Sequence, residues 1–96
     1  GPAGLAAVGA DGTMAVAMHD LDPTKGDEVY EAWMIGSDGV PIALGGFKVG
    51  ETGIAYFRGS GVPAEPGVIL ALTREPRAGA TVPSSDPVSA GTTISG

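Results

Sequence analysis

Val29-Tyr30-Glu31-Ala32-Trp33-Met34-Ile35-Gly36, followed at once by Ser37-Asp38-Gly39, is the stretch whose reading decides the fold. It holds the only tryptophan of the chain and one of its two tyrosines within a dense apolar run. Eight residues flanked by turn formers is a strand length and short for a helix. The Asp-Gly pair is a strong hairpin signal, because a type I′ turn needs positive φ at both central residues. Alternation puts Tyr30, Ala32 and Met34 on one face, and Val29, Glu31, Trp33 and Ile35 on the other. Glu31 apart, neither face is polar. The expectation is a central strand covered on both sides, as in a sandwich strand lying under a loop or second sheet.

Upstream, apolar runs at Leu5–Val8 and Thr13–His19 flank Gly9-Ala10-Asp11-Gly12, a second Asp-Gly turn, and read as an N-terminal hairpin. In the second run Met14, Val16 and Met18 share a face and form the core candidate, opposite Thr13, Ala15, Ala17 and His19. The polar segment 20–27 reads as a loop anchored by Leu21. Downstream, Val40–Val49 contains Pro41 and the pair Gly45-Gly46, the signature of an edge strand with a bulge or bend. Gly50–Gly53 reads as a turn, and Ile54–Arg58 as a short strand with Ile54, Tyr56 and Arg58 on one side. Gly59–Gly67 is a loop, and Val68–Thr73 is a second apolar run suited to a buried strand. A long connection over 74–87 with three prolines leads to a last strand at Val88–Ile94, and Ser95-Gly96 is expected to fray. The fold class expected is all-β, an antiparallel immunoglobulin-like sandwich of about seven strands. Residues 3–96 read as one domain, and Gly1-Pro2 as the remnant of a tag-removal site.

Composition narrows the function. Seventeen glycines and eight prolines in 96 residues favour turns over helices, while 43% hydrophobic residues argue against disorder. A net charge of −6 lacks the basic footprint that nucleic acid or an anionic membrane surface requires. With no cysteine there is neither a disulfide nor a thiolate metal site. No apolar run approaches the ~20 residues needed to span a bilayer.

Four candidate sites fall short of chemistry. His19-Asp20 has no serine on a strained G-x-S-x-G turn to activate, so the pair reads as a strand end. Met14, Met18 and His19 are soft ligands for Cu(I), but His19 faces away from both methionines, and core packing explains them better. Asp20, Asp22, Asp27 and Glu28 ring one loop, yet Thr24 and Lys25 break the calcium-loop pattern. Gly59-Ser60-Gly61 lacks the Lys-Ser/Thr and the helix start of a phosphate loop. No catalytic, metal or cofactor residue is assigned.

Three segments taken together carry a resemblance. The first is Tyr30-Glu31-Ala32-Trp33-Met34-Ile35 with Asp38-Gly39-Val40-Pro41, and Gly45-Gly46-Phe47 close behind. The second is Leu70-Ala71-Leu72-Thr73-Arg74-Glu75-Pro76 with Ala78-Gly79, and the third is Pro83 followed by Asp86-Pro87-Val88. In this order they resemble the anti-sigma-K factor family's C-terminal domain, with its Y-x-x-W-x-I, D-G-x-P, T-x-E-P-x-G-G and P-x-G-P-V. Leu21-Asp22-Pro23 and Gly26 match the L-x-P and glycine that precede the tyrosine. The match spans about residues 12–94, with Ala80 where a second glycine is usual and Asp86 in place of the last motif's glycine.

The resemblance implies that Tyr30, Trp33, Asp38, Gly39, Pro41, Thr73, Glu75, Pro76, Gly79 and Pro87 are structural motif residues. Glu75-Pro76 ends a strand because proline cannot donate to the ladder, and Gly79 permits the turn beyond it. It also implies an extracytoplasmic regulatory or sensor domain of a single-pass, membrane-anchored anti-sigma factor. In such a protein an N-terminal segment, absent here, holds the sigma factor on the cytoplasmic side, and site-specific proteases release it. The alternative is a carbohydrate- or cell-wall-binding module, which would need an exposed aromatic platform such as Trp33 beside Tyr56. No enzyme activity, nucleic-acid contact or membrane insertion by this domain is expected.

Overall fold

The computed structural model describes residues 3–61, 68–92 and 94–95. Gly1-Pro2, most of the Gly59–Gly67 loop (residues 62–67), Thr93 within the expected last strand, and Gly96 lie outside the described residues. Eight strands are present there: β1 (Ala3–Val8), β2 (Met14–His19), β3 (Val29–Ile35), β4 (Pro41–Phe47), β5 (Ala55–Gly59), β6 (Ile69–Glu75), β7 (Ser89–Thr92) and β8 (Ile94–Ser95). They form two sheets of order β5-β2-β1-β8 and β4-β3-β6-β7. Every pairing is antiparallel except the two-residue β8, which runs parallel to β1. The fold is an all-β sandwich.

β3 is central in its sheet, hydrogen-bonded to β4 on one side and β6 on the other, and its first six residues are all buried. Its face with Tyr30, Ala32 and Met34 meets the methionine face of β2. Tyr30 and Ala32 join Met18, Leu21, Val49, Ala55 and Leu72 in one cluster, while Met34 joins Met14 and Val68 in another. The rings of Tyr30, Phe47 and Phe57 connect the sheets, with centroids 6.0 and 5.5 Å apart. Aromatic pairs at such spacing stabilise beyond their area burial, by about 0.5–1.5 kcal/mol each.

The two outer faces differ. On the first sheet Ala15, Ala17, His19, Tyr56 and Arg58 are exposed. On the second, Glu31, Trp33, Thr73 and Glu75 are almost fully buried although they point away from the inter-sheet core.

The hairpins at Asp11-Gly12 and Asp38-Gly39 form where expected, but not as type I′ turns. Only the glycines have positive φ, +84° at Gly12 and +73° at Gly39. Gly12 N–H donates to Gly9 O at 3.0 Å and Gly39 N–H to Gly36 O at 3.1 Å, closing ordinary four-residue turns that end in a left-handed glycine. Asp11 and Asp38 serve differently: each carboxylate accepts an amide two residues on, from Thr13 and Val40, both at 3.0 Å. That side-chain bond needs no left-handed aspartate. Gly50–Gly53 repeats the geometry, with a 3.1 Å bond and φ +70° at Gly53.

β4 is an edge strand, and the pairing of β3 with it shifts register between Ala32 and Trp33, so the bend expected at Gly45-Gly46 is a bulge. The C-terminal strand departs from expectation. It divides between the two sheets, with Ser89–Thr92 on β6 and Ile94–Ser95 beside β1, and Ser95 pairs with Val8 instead of fraying.

Candidate functional site

Three of the motif residues, Trp33, Thr73 and Glu75, converge on the covered outer face of the second sheet. The register Val29↔Glu75, Glu31↔Thr73 and Trp33↔Ala71 sets Thr73 and Glu75 in line, one pleat apart, diagonal to the indole. Trp33 is 0% exposed, and its Nε1–H donates to Thr73 Oγ1 at 2.8 Å. Thr73 Oγ1–H donates in turn to Glu75 Oε2 at 2.6 Å. The direction of this chain is forced. Indole N–H only donates and an ionised carboxylate only accepts, so the hydroxyl between them must do both.

Glu75 Oε2 also accepts the amide of Ser84 at 3.2 Å. That bond brings the connection 76–88 back over the face where Trp33 lies. Ser85 Oγ–H donates to Arg74 O at 3.2 Å, and Val88 N–H to Leu72 O at 2.8 Å, so the excursion is tied down at three points. Pro76 ends the β6 ladder where the chain leaves it, and Gly79 turns at φ +90°. Burial pushes the Glu75 carboxyl up, but the hydrogen bonds from Ser84 and Thr73 outweigh it and hold the group below the ordinary range.

Glu31 lies on the same face and accepts the amide of Gly45 at 2.9 Å. The bulge presents that amide, and Gly46 opposite leaves room: a Cβ there would come within 3.2 Å of Glu31 Oε1. Here burial dominates and pushes the carboxyl up, opposed by the Gly45 amide and reinforced by the charge of Glu75. The two buried glutamates are thus shifted in opposite directions.

Arg74 faces the other way and clips the 20–28 loop. Its Nη2 donates to Glu28 Oε1 at 2.6 Å and to Pro23 O at 2.8 Å, and Nη1 lies 3.6 Å from Asp22 Oδ2. The guanidinium sits 5.6 Å from the centroid of the Tyr30 ring, whose hydroxyl donates to Asp22 O at 2.7 Å. The Arg74 hydrogen bond holds the Glu28 carboxyl below its usual value. Thr24 exchanges hydrogen bonds with the backbone of Val49, fixing the far side of the loop.

The other residues singled out from sequence are scattered. Asp38, Gly39 and Pro41 build the β3–β4 turn and the start of β4, and Pro87 is exposed just before β7. His19 Nδ1 lies 3.1 Å from Asp20 Oδ2 at an exposed corner. Among the described residues no group of three or more His, Asp or Glu side chains converges as a metal site. Trp33 and Tyr56 do not form a platform, since Trp33 is sealed and Tyr56 stands alone at 80% exposure. Sequence reasoning missed Glu31, Arg74 and Ser84 as members of these networks. The signal for Glu31 was present, a lone carboxylate in an apolar strand followed by a glycine pair.

No helix of the described residues is long and apolar enough to cross a membrane. No curated protein and no solved structure matches the chain significantly. The family model described as the C-terminal part of anti-sigma-K factor rskA matches residues 1–88, so the chain belongs to the anti-sigma-K factor C-terminal family.

Proposed function

We propose that residues 3–96 form one extracytoplasmic regulatory domain of a membrane-anchored anti-sigma factor. The observation that carries this reading is the family match, which spans nearly the whole chain. In the full-length protein an N-terminal segment outside this chain binds the sigma factor, a single helix crosses the membrane, and proteases acting near and within the membrane free the sigma factor. The domain shields the membrane-proximal stem from the first of those proteases. It performs no catalysis.

The motif residues act as scaffold in this account. Tyr30, Trp33, Thr73 and Glu75 spend their polar atoms on one another or on neighbouring backbone, which supports a structural role over a contact role. Asp38, Gly39, Pro41, Pro76, Gly79 and Pro87 shape the chain between strands. The alternative of a carbohydrate module loses its platform with Trp33 buried.

The division of labour is testable with purified parts. The domain immobilised alone should retain no sigma factor from a cell lysate, whereas the full-length protein in detergent should. Capture of a sigma factor by residues 3–96 alone would overturn the assignment.

A further inference from the structure

The large side chains of the core come from one half of the sandwich. Tyr30, Phe47, Phe57 and the methionines fill the space between β2 and β5 on one side and β3 and β4 on the other. In the other half, Gly4 and Ala6 of β1 and Ser89 of β7 offer small groups to the interior. Gly4 and Ala6 pair with Met18 and Val16 on the inward face of the first sheet, and Ser89 pairs with Leu72 on that of the second. A cleft of about 130 Å³ remains between the sheets, walled by Met14, Met18 and Leu72 and open to solvent at the exposed Gly4.

Gly4 cannot be enlarged without rebuilding the strand pair. A Cβ there would clash with the backbone carbonyl of Ala17. The smallness of β1 at this point is therefore a packing requirement, and the space beside it follows from the register.

We infer that this cleft is a binding site for a small molecule bearing one aromatic ring. Its volume sets the scale, close to that of an apolar protein cavity of about 150 Å³ that takes up benzene. Its walls set the chemistry. Met14 and Met18 line the space, and methionine sulfur contacts aromatic ring edges favourably. Among the described lining residues only Ser89 has a polar side chain, which favours an apolar ring. The inference is independent of the regulatory reading above. It would give the domain a ligand that joins the two sheets and stabilises the folded state by mass action.

Benzene is the probe, with ¹³C-methyl signals of the three methionines as the readout. Met14 and Met18 line the cleft and Met34 does not, which makes Met34 an internal control. Benzene added up to its solubility in water should shift the Met14 and Met18 methyls saturably, with a clearly smaller effect at Met34, and should raise Tm. Ala6→Leu and Ser89→Val fill the space from opposite sheets, and whichever folds should abolish the methyl shifts. No saturable shift at Met14 and Met18, equal shifts at all three methionines, or shifts that persist in a folded filled variant would each overturn the inference.

Discussion

Trp33 and Thr73, forty residues apart in sequence, are joined by a 2.8 Å hydrogen bond from the indole N–H to the threonine hydroxyl. The same hydroxyl donates a hydrogen bond to Glu75, which also accepts the amide of Ser84. One buried hydroxyl therefore links the central strand, its neighbour and the connection above them.

Thr73→Val keeps the shape of that side chain and removes both bonds. The indole N–H is then stranded in a site from which water is excluded. Leaving a buried donor unsatisfied costs about 1–3 kcal/mol. For a domain of this size each kcal/mol moves Tm by about 4–8 °C, so the melting point should fall by at least about 4 °C. A Tm within a degree of wild type would show that the relay does not support the fold.

Trp33→Ala should cost about 3–5 kcal/mol, as large aromatic truncations in cores do. Because Trp33 is the only tryptophan, its fluorescence reports on the site directly. Emission in the native protein should resist acrylamide quenching. Thr73→Val, if folded, should make it more accessible. Free quenching of the wild type would contradict the sealed face.

The two buried glutamates predict opposite pH effects. Glu75 is held below the ordinary value of 4.5, so its contribution to stability is present above that pH and is lost as pH falls through the folded-state value. Glu75→Gln should therefore destabilise at pH 7 and make progressively less difference below pH 4.5. Glu31 is raised above 4.5, so the folded state binds its proton more tightly and stability declines as pH rises from 4.5 through the folded value. Glu31→Gln, which can still accept from Gly45, should remove that decline and melt higher than wild type at pH 7. Urea titrations of the three proteins across pH 3–8 check both signs, and a Glu31→Gln protein less stable at pH 7 would refute the second.

Gly45 sits at φ +141°, and a Cβ there would lie 3.1 Å from the ring of Phe57. Strained backbone of this kind costs about 1–3 kcal/mol for a residue with a side chain. Gly45→Ala should fall in that range and weaken the β3–β4 bulge, read as faster hydrogen exchange at the Gly45 amide. Unchanged stability and exchange would mean that the bulge is not required.

Arg74→Met removes the clip on the 20–28 loop while keeping an unbranched side chain over Tyr30. Amide exchange of Thr24, Lys25 and Glu28 should quicken, with the amides of β3 and β6 unaffected. High salt should produce a weaker version of the same effect in wild type, because the Arg74–Glu28 pair is partly exposed. Uniform exchange changes across the sheet would show that Arg74 supports the core and not the loop.

Much of the fold is legible because it rests on local periodicity. The alternation of Val29–Ile35 and of Met14–Met18 gives both strands and their faces, and Asp-Gly pairs give both hairpins. The turn type was not legible, since Asp11 and Asp38 satisfy the turn through side-chain bonds instead of left-handed backbone. Glu31 was visible as the one polar residue of an apolar strand, but its partner is an amide exposed by a bulge, and a bulge fixes its register only once the strands pair. Thr73, Glu75 and Pro76 were readable as the end of a strand. That the side chains of Thr73 and Glu75 bind Trp33 and Ser84 depends on contacts across forty and nine residues that no window of sequence contains. The division of the last strand between sheets is likewise a matter of closure, decided by which edge is free.

The central claim is that this domain governs access to the stem of a membrane-anchored anti-sigma factor. The most direct measurement is the rate of anti-sigma cleavage in cells that carry the full-length protein or a version lacking residues 3–94 with helix and stem intact. The account predicts faster, signal-independent cleavage when the domain is removed. An unchanged or slower rate would contradict it.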